Sequence, residues 1–392
     1  MRISRVRATP VRLHVSHAPY VTDNAGTKVH WNGRRSRISP KRPVPMLEYV
    51  IVRVETDEGV VGIGEAQADI GFFGNTVEEV QSSVEDYLGP QLVGKDPLDR
   101  EHLFKLIDFR SNSCAQAGID LALHDLAGKA LGAPVSVLLG GRHQTEVAVA
   151  IEIAGGPAEA MAAACVDLTA KGVRAFKAKI GGSPEEDAQR LVAIREAVGE
   201  TVSLRADANQ GYNAKEAIRL CRILEREGIA LELLEQPVPA WDLKGMALVR
   251  STVDTPIEAD ESCYTIHDAL ELVRRGAADV LNVKIGKAGG LYQAKKIMAI
   301  AEAAGLRCVL GTAFGLGPEV AAKLHLAASS EIVEDPVEFT ELTLHGNLLV
   351  GQARDELALP VRNGCLRVPE APGLGVELDE EALARAQLVL ES

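Results

Sequence analysis

Apolar and polar residues alternate through the first part of the chain with the two-residue period of half-buried strands. Residues 2–13 and 47–56 (LEYVIVRVET) alternate in this way. The second run ends at the turn signal Asp57-Glu58-Gly59, and residues 60–66 continue as a third run, which predicts a small antiparallel sheet. Between the first two runs, residues 14–45 form a long polar stretch holding Lys28, Arg34, Arg35, Arg37, Lys41, Arg42 and Trp31. A loop of that length inside a compact domain is either a functional cover, here one suited to an anionic substrate, or a solvated excursion. From Thr76 to about Leu131 the period becomes helical, with Ile119, Ala122, Leu123, Leu126 and Ala130 on one face. Gly132 and Pro134 stop that helix.

Beyond Val147 short apolar runs alternate with amphipathic stretches. VAVAIEIA precedes a helix from Pro157, AFKAKI one from Ser183, VSLRADA one from Asn213 and LELLEQP one from Trp241. PIEAD, VLNVKI and RCVLGTA lead into helices from Thr265, Leu291 and Pro318. Repeated β-then-α units predict a parallel sheet with helices outside it, closed here as a TIM-type barrel. The tail from about Asn347 is mixed and ends in a short helix near residues 380–388. The expected division is an α+β unit over 1–130, a barrel over 131–346, and a C-terminal segment over 347–392. The fold class read from the pattern is α/β, a TIM-type barrel with an α+β domain before it.

Composition narrows the function. The chain has 392 residues, 46% of them hydrophobic, 25% charged and 4% aromatic, which describes a globular protein packed mainly by aliphatic side chains. A net charge of −13 argues against general binding to nucleic acid or anionic membranes. No apolar run approaches the roughly 18 residues of a membrane span, and the first residues lack the apolar stretch of a signal peptide. Cys114, Cys165, Cys221, Cys263, Cys308 and Cys365 are scattered without CxxC or Cys/His pairing, so reduced, buried thiols in a cytoplasmic protein are expected.

In a TIM barrel catalytic groups stand at the C-terminal ends of the strands. The second predicted strand ends in Lys177-Ala-Lys179, the third in Asp207-Ala-Asn209, the fourth in Glu235, the fifth at Asp260 and the sixth at Lys284. Three carboxylates converging from adjacent strands raise one another's pKa unless a cation joins them. All-oxygen ligands on rigid strand ends suit a hard ion with open positions, Mg²⁺. A lysine beside such an ion and a second lysine is expected to have a depressed pKa, useful to a general base. Lys177 shares a face with Lys179 and is its expected neighbour. Lys284, four strands further round an eight-stranded ring, is expected opposite Lys179; pairing with Asp260 or Glu261 is its alternative role. Asn209 and Glu341 are candidate substrate contacts. Glu152 faces either the barrel interior or the site, and parity does not decide which. Gly286, Gly289 and Gly290 read as a turn, and the nine histidines share no ligand spacing.

The motifs FKAKIG, RADANQGY, LLEQP, EADES and NVKIGKAGG, with AGIDLALHDLAGKALGAPVSVLLGG upstream and PEAPGLGVELD near the end, resemble the enolase superfamily. Within it they resemble the muconate lactonizing enzyme subgroup of the mandelate racemase/muconate lactonizing enzyme family. The resemblance runs from about Met1 to about Glu380. It implies an α/β fold, a modified TIM barrel with an α+β capping domain (1–130) on which the C-terminal segment 347–392 packs back, Mg²⁺ on Asp207, Glu235 and Asp260, and Lys179 and Lys284 as paired bases acting through an enediolate. Residues 310–315 (LGTAFG) lack the histidine of the mandelate racemase branch. The Asp-x-Asp that dipeptide epimerases carry after the eighth strand is absent, and PVEFTEL stands there, with Thr340-Glu341-Leu342 closer to the cycloisomerases. His124 replaces a tryptophan usual in the helix motif, a change expected to affect packing.

The expected activity is proton abstraction α to the carboxylate of a small-molecule substrate, giving a racemase, epimerase or cycloisomerase. Dehydration of an acid sugar or hydroxy acid is the alternative. The five strand-end residues argue against a barrel without turnover. A homo-oligomer is the expected assembly.

Overall fold

The structure is a computed structural model and describes residues 1–14, 21–22, 27–29, 35–37, 46–108, 112–334, 336–344 and 347–388. The expected alternation becomes a three-stranded antiparallel sheet in the order β1 (Ile3–His14), β5 (Met46–Thr56), β6 (Val61–Ala68). Successive side chains of β5 point to opposite faces and divide between two cores. Val50, Val52 and Val54 point to the cap's own core with Ile119, Ala122 and Leu126 of the helix Ser113–Leu131. Tyr49 and Ile51 point the other way and join the barrel core.

That helix is buried along most of its length because it lies between the cap sheet and the barrel. It stops, as expected, at Gly132 in the left-handed conformation (φ 65°). The sheet can approach it closely only through glycine. A Cβ on Gly64 would stand 2.0 Å from the Gly118 carbonyl oxygen, and one on Gly62 2.1 Å from that of Ala122. His124, the residue in place of tryptophan, is buried in the same helix and stacks on Phe104 at 5.3 Å.

The stretch read as one long loop contains three short strands, β2 (Val21–Thr22), β3 (Thr27–Val29) and β4 (Arg35–Arg37), which pair antiparallel in that order. The polar composition hid them, since strands this short carry no periodicity. The rest of residues 15–45 lies outside the described residues.

The barrel comprises β7 (Glu146–Ile153), β8 (Ala175–Lys179), β9 (Ser203–Asp207), β10 (Leu234–Glu235), β11 (Ile257–Ala259), β12 (Val280–Val283), β13 (Arg307–Leu310) and β14 (Val337–Glu338). Neighbours from β7 to β13 are parallel in sequence order, and β14 pairs parallel with β7. The ring is nearly closed. Its last seam is a single bridge between Cys308 and Val333. The connecting helices begin close to the expected positions, with Asn213 and Thr265 forming capping boxes at two of them.

After the barrel, β15 (Cys365–Arg367) pairs antiparallel with β7. The helix Glu380–Ala386 then lies against β1, where Leu388 N donates to the Pro10 carbonyl at 2.9 Å and Arg53 pairs with Glu380 at 2.7 Å. None of the six cysteines is in a disulfide; five are buried, but Cys365 is only partly so because it falls at an edge strand. Among the described residues no helix is long and apolar enough to cross a membrane.

Candidate active site

A cavity of about 420 Å³ opens at the C-terminal ends of the barrel strands and is roofed by the cap. The cap contributes Leu47–Tyr49 from β5 and the turn after β6, including Phe72 and Phe73. The barrel contributes Glu152, Lys179, Asn209, Glu261, Lys284 and Thr312. The two lysines therefore share one cavity, reaching it from β8 and from the end of β12, four places apart in the ring.

Each strand-end acid is engaged by a lysine. Lys179 Nζ donates to Asp207 Oδ2 at 2.7 Å and lies 3.0 Å from Glu152 Oε1. Lys284 Nζ donates to Asp260 Oδ2 at 2.6 Å, which is the pairing held open for it, and Lys287 donates to the other oxygen of Asp260. Lys177 is fully enclosed, does not line the cavity, and reaches Glu235 Oε2 and Glu338 Oε1 at 2.6 Å each. Asn282 Nδ2 completes Glu235 at 3.0 Å. Asn209 lines the cavity, its amide donating to Glu261 Oε1 at 3.2 Å.

Glu341 is placed differently from the substrate contact expected of it. It is buried, does not line the cavity, pairs with Lys323 at 2.9 Å and accepts a hydrogen bond from the Thr312 hydroxyl. The chain turns Thr312 toward the cavity and leaves Glu341 behind it.

The electrostatics also depart from expectation. Burial works to lower both site lysines. At Lys179 the Asp207 and Glu152 carboxylates outweigh it, and at Lys284 Asp260 and Glu235 do, so both amines are held above the usual lysine range. The expected depression counts a divalent cation's charge beside each amine, whereas the protein's own groups act in the opposite direction. Lys177 does act on Lys179 in the expected sense, but weakly beside those acids.

Burial, reinforced by Asp207 and Glu258, pushes Glu235 well above the carboxylate range despite Lys177. Burial also opposes ionisation of Asp260, yet Lys284 and Lys287 hold it well below that range. Glu261 is pushed up to about 7 by burial, Asp260 and Asp207. Glu152 is lowered to about 2, because Lys179 and Lys177 outweigh its burial.

Among the described residues no group of three His, Cys, Asp or Glu side chains is arranged to hold a metal ion. The donor chemistry nonetheless fits a hard cation. The buried carboxyls Asp207, Glu235, Glu258, Asp260 and Glu338 and the half-buried Glu152 and Glu261 crowd the strand ends beside Lys177, Lys179, Arg205, Lys284 and Lys287. Among the described residues, both oxygens of Glu258 and one of Glu261 lack a hydrogen-bond partner. Carboxyls crowded in this way resist ionisation, as the raised Glu235 and Glu261 show, and a bound cation would relieve that.

Glu258, Lys287 and Glu338 were not singled out from the sequence, and Glu261 was named only as a pairing partner for Lys284. Glu258 and Glu261 lie in the motif EADES around Asp260, and spacing was the available signal: Glu258 is two residues before Asp260 and so on the same side of its strand. Glu152 is settled as a cavity residue.

Comparison with known proteins agrees with this architecture. Residues 37–140 match a family profile described as the mandelate racemase/muconate lactonizing enzyme N-terminal domain, and residues 160–382 one described as enolase C-terminal domain-like. An L-Ala-D/L-Glu epimerase of Clostridium acetobutylicum is 37% identical over 341 residues, covering 86% of this chain and 92% of the relative. A chloromuconate cycloisomerase of Cupriavidus pinatubonensis is 35% identical, with 86% and 90% covered. Among solved structures, the N-succinyl Arg/Lys racemase from Bacillus cereus superposes with a TM-score of 0.87 at 29% identity, covering 99% of both chains. A dipeptide epimerase from Enterococcus faecalis, complexed with Mg and the dipeptide L-Leu-L-Tyr, does so with a TM-score of 0.84 at 32% identity, covering 96% of this chain and all of that one. By its sequence, its cap and its barrel, this chain belongs to the mandelate racemase/muconate lactonizing enzyme family and stands among the isomerases of the enolase superfamily.

Proposed function

We propose that this protein is a Mg²⁺-dependent isomerase that moves the proton α to a substrate carboxylate, with Lys179 and Lys284 as its acid/base pair. The observation that carries the reading is that two buried lysines, four strands apart in an eight-stranded ring, open onto one cavity. Asp207, Glu235 and Asp260 are the residues that would hold the ion. When bound, Mg²⁺ supplies the positive charge that holds the substrate carboxylate and acidifies its α-proton. The crowding of carboxyls at the strand ends and, among the described residues, the unpartnered oxygens of Glu258 and Glu261 support that assignment.

The remaining roles follow from contacts. Asp207 and Asp260 fix the two amines by direct hydrogen bonds, so each Nζ meets the substrate from its own side. Lys177 neutralises Glu235 and Glu338 beneath the cavity and thereby keeps the strand ends together. Asn209 is the polar side chain placed to orient the substrate, and Glu341 acts through Thr312. Proton transfer on both faces gives racemisation or epimerisation. Transfer on one face, with the second lysine stabilising charge, gives cycloisomerisation.

The test is hydrogen exchange in D₂O with and without Mg²⁺. The panel holds both α-epimers of alanylglutamate, leucyltyrosine, N-succinylarginine and N-succinyllysine, together with chloromuconate, chosen because related proteins carry these names. The expected result is α-deuterium incorporation in at least one pair, or lactone formation from the muconate, lost on chelation. Lys179→Ala and Lys284→Ala should each abolish exchange from one epimer, by at least about 100-fold. Full activity in either variant would sink the two-base assignment. A 2-keto acid formed from an acid sugar or hydroxy acid added to the panel would replace the reading with a dehydratase.

A further inference from the structure

We infer that Phe72, carried by the cap, is a positioning residue for Lys284 and acts on one face of the reaction centre; the inference rests on the two-base reading above. Strand β6 ends at Ala68, and the next residues fold into a tight turn organised by Asp69. The Asp69 carboxylate accepts from Gly71 N at 2.7 Å, and its carbonyl accepts from Phe73 N at 2.8 Å and Gly74 N at 3.1 Å. That turn sends the Phe72 ring down to the barrel, where its centroid lies 4.5 Å from Lys284 Nζ.

The ring is fixed from two further directions. Tyr264, in the loop after β11, stacks on it with centroids 6.5 Å apart and donates its hydroxyl to the Phe72 carbonyl at 3.2 Å. Phe73 meets it edge-on at 4.9 Å. Lys284 is thereby confined between the Asp260 carboxylate and an aromatic face. The carboxylate anchors Nζ by a hydrogen bond, and the ring attracts the ammonium through its quadrupole while occupying space that water would take. The contact is made to Lys284, so a change at Phe72 acts first on the epimer whose proton faces that lysine.

This asymmetry distinguishes positioning from general scaffolding. Phe72→Leu keeps an apolar side chain but removes the ring, and Phe72→Tyr keeps the ring. Both are compared with the parent in Mg²⁺ and D₂O, using the epimer pairs of the panel above. Lys284→Ala identifies which epimer that lysine serves. In Phe72→Leu, exchange from that epimer should fall about tenfold while exchange from the other stays within about twofold, and Phe72→Tyr should restore the parent ratio. Equal loss from both epimers, or no loss from either, overturns the inference. A ratio left altered by Phe72→Tyr overturns it also. If the lysine variants fail to divide the epimers, the two-base reading falls and this inference with it; if no pair exchanges while the muconate is turned over, this inference alone falls. A clean lysine division without a Phe72 effect removes this inference alone.

Discussion

Thr312 lines the cavity, and its hydroxyl donates to the buried Glu341 carboxylate, which Lys323 also holds at 2.9 Å. The same oxygen accepts from Phe314 N at 3.0 Å, and the Phe314 carbonyl accepts from the Tyr49 hydroxyl at 2.6 Å. One hydroxyl thus joins a barrel ion pair to a cap side chain. Thr312→Val preserves shape and removes the hydroxyl, leaving a buried carboxylate oxygen and an N–H short of a partner. Chemical denaturation should show a loss of about 1–3 kcal/mol, and kcat/KM should fall with it. At this scale the sequence revealed residues whose type and strand-end position coincide: Lys179, Asp207, Glu235, Asp260 and Lys284. It could not show that Glu152 faces into the cavity, because a one-residue change of phase moves a strand side chain to the other face, nor that Glu341, at the start of the short helix Glu341–Leu344, faces away from it.

Among the elements, β6 depends most on its small residues. Gly62 and Gly64 let the strand lie directly against the helix Ser113–Leu131, whose backbone oxygens occupy the space of a Cβ. Gly64→Ala should push strand and helix apart and destabilise the cap by about 1–3 kcal/mol, read as a lowered thermal midpoint with the barrel signal compared separately. The cap strands were legible because long alternation survives in the sequence: Tyr49 and Ile51 face the barrel, Val50 and Val52 the cap helix. The helix starts at Asn213 and Thr265 were legible through their capping residues. The short strands β2, β3 and β4 were not, since two or three residues hold no period.

Across the whole molecule, Glu65 couples cap to barrel. It lies on β6, is buried, and accepts from Leu316 N at 2.8 Å and from Glu319 N at 3.2 Å, at the start of the helix Pro318–Ala328. Burial and the neighbouring Glu319 carboxyl raise it to about 8. A carboxyl raised on folding stays protonated in the native state while its unfolded counterpart ionises. Its stabilising contribution is therefore complete below about pH 4.5, declines as pH rises, and is gone above about pH 8. Glu65→Gln should flatten that decline relative to the parent, by on the order of a few kcal/mol across the window. Unfolding free energies measured from pH 4.5 to 8 check this; parallel curves would show that Glu65 is ionised throughout.

The amino-acid sequence by itself determined the repeating β/α order, the two-layered cap and the strand-end acids and lysines, because period and residue type are local properties. Only the tertiary structure decided which carboxyls share a dry interior and which lysine meets which acid. It alone decided that Phe72, more than two hundred residues before Lys284, would lie against it. These contacts arise where cap and barrel close on each other, and charge and ring contacts depend on distance in space, which chain separation does not record.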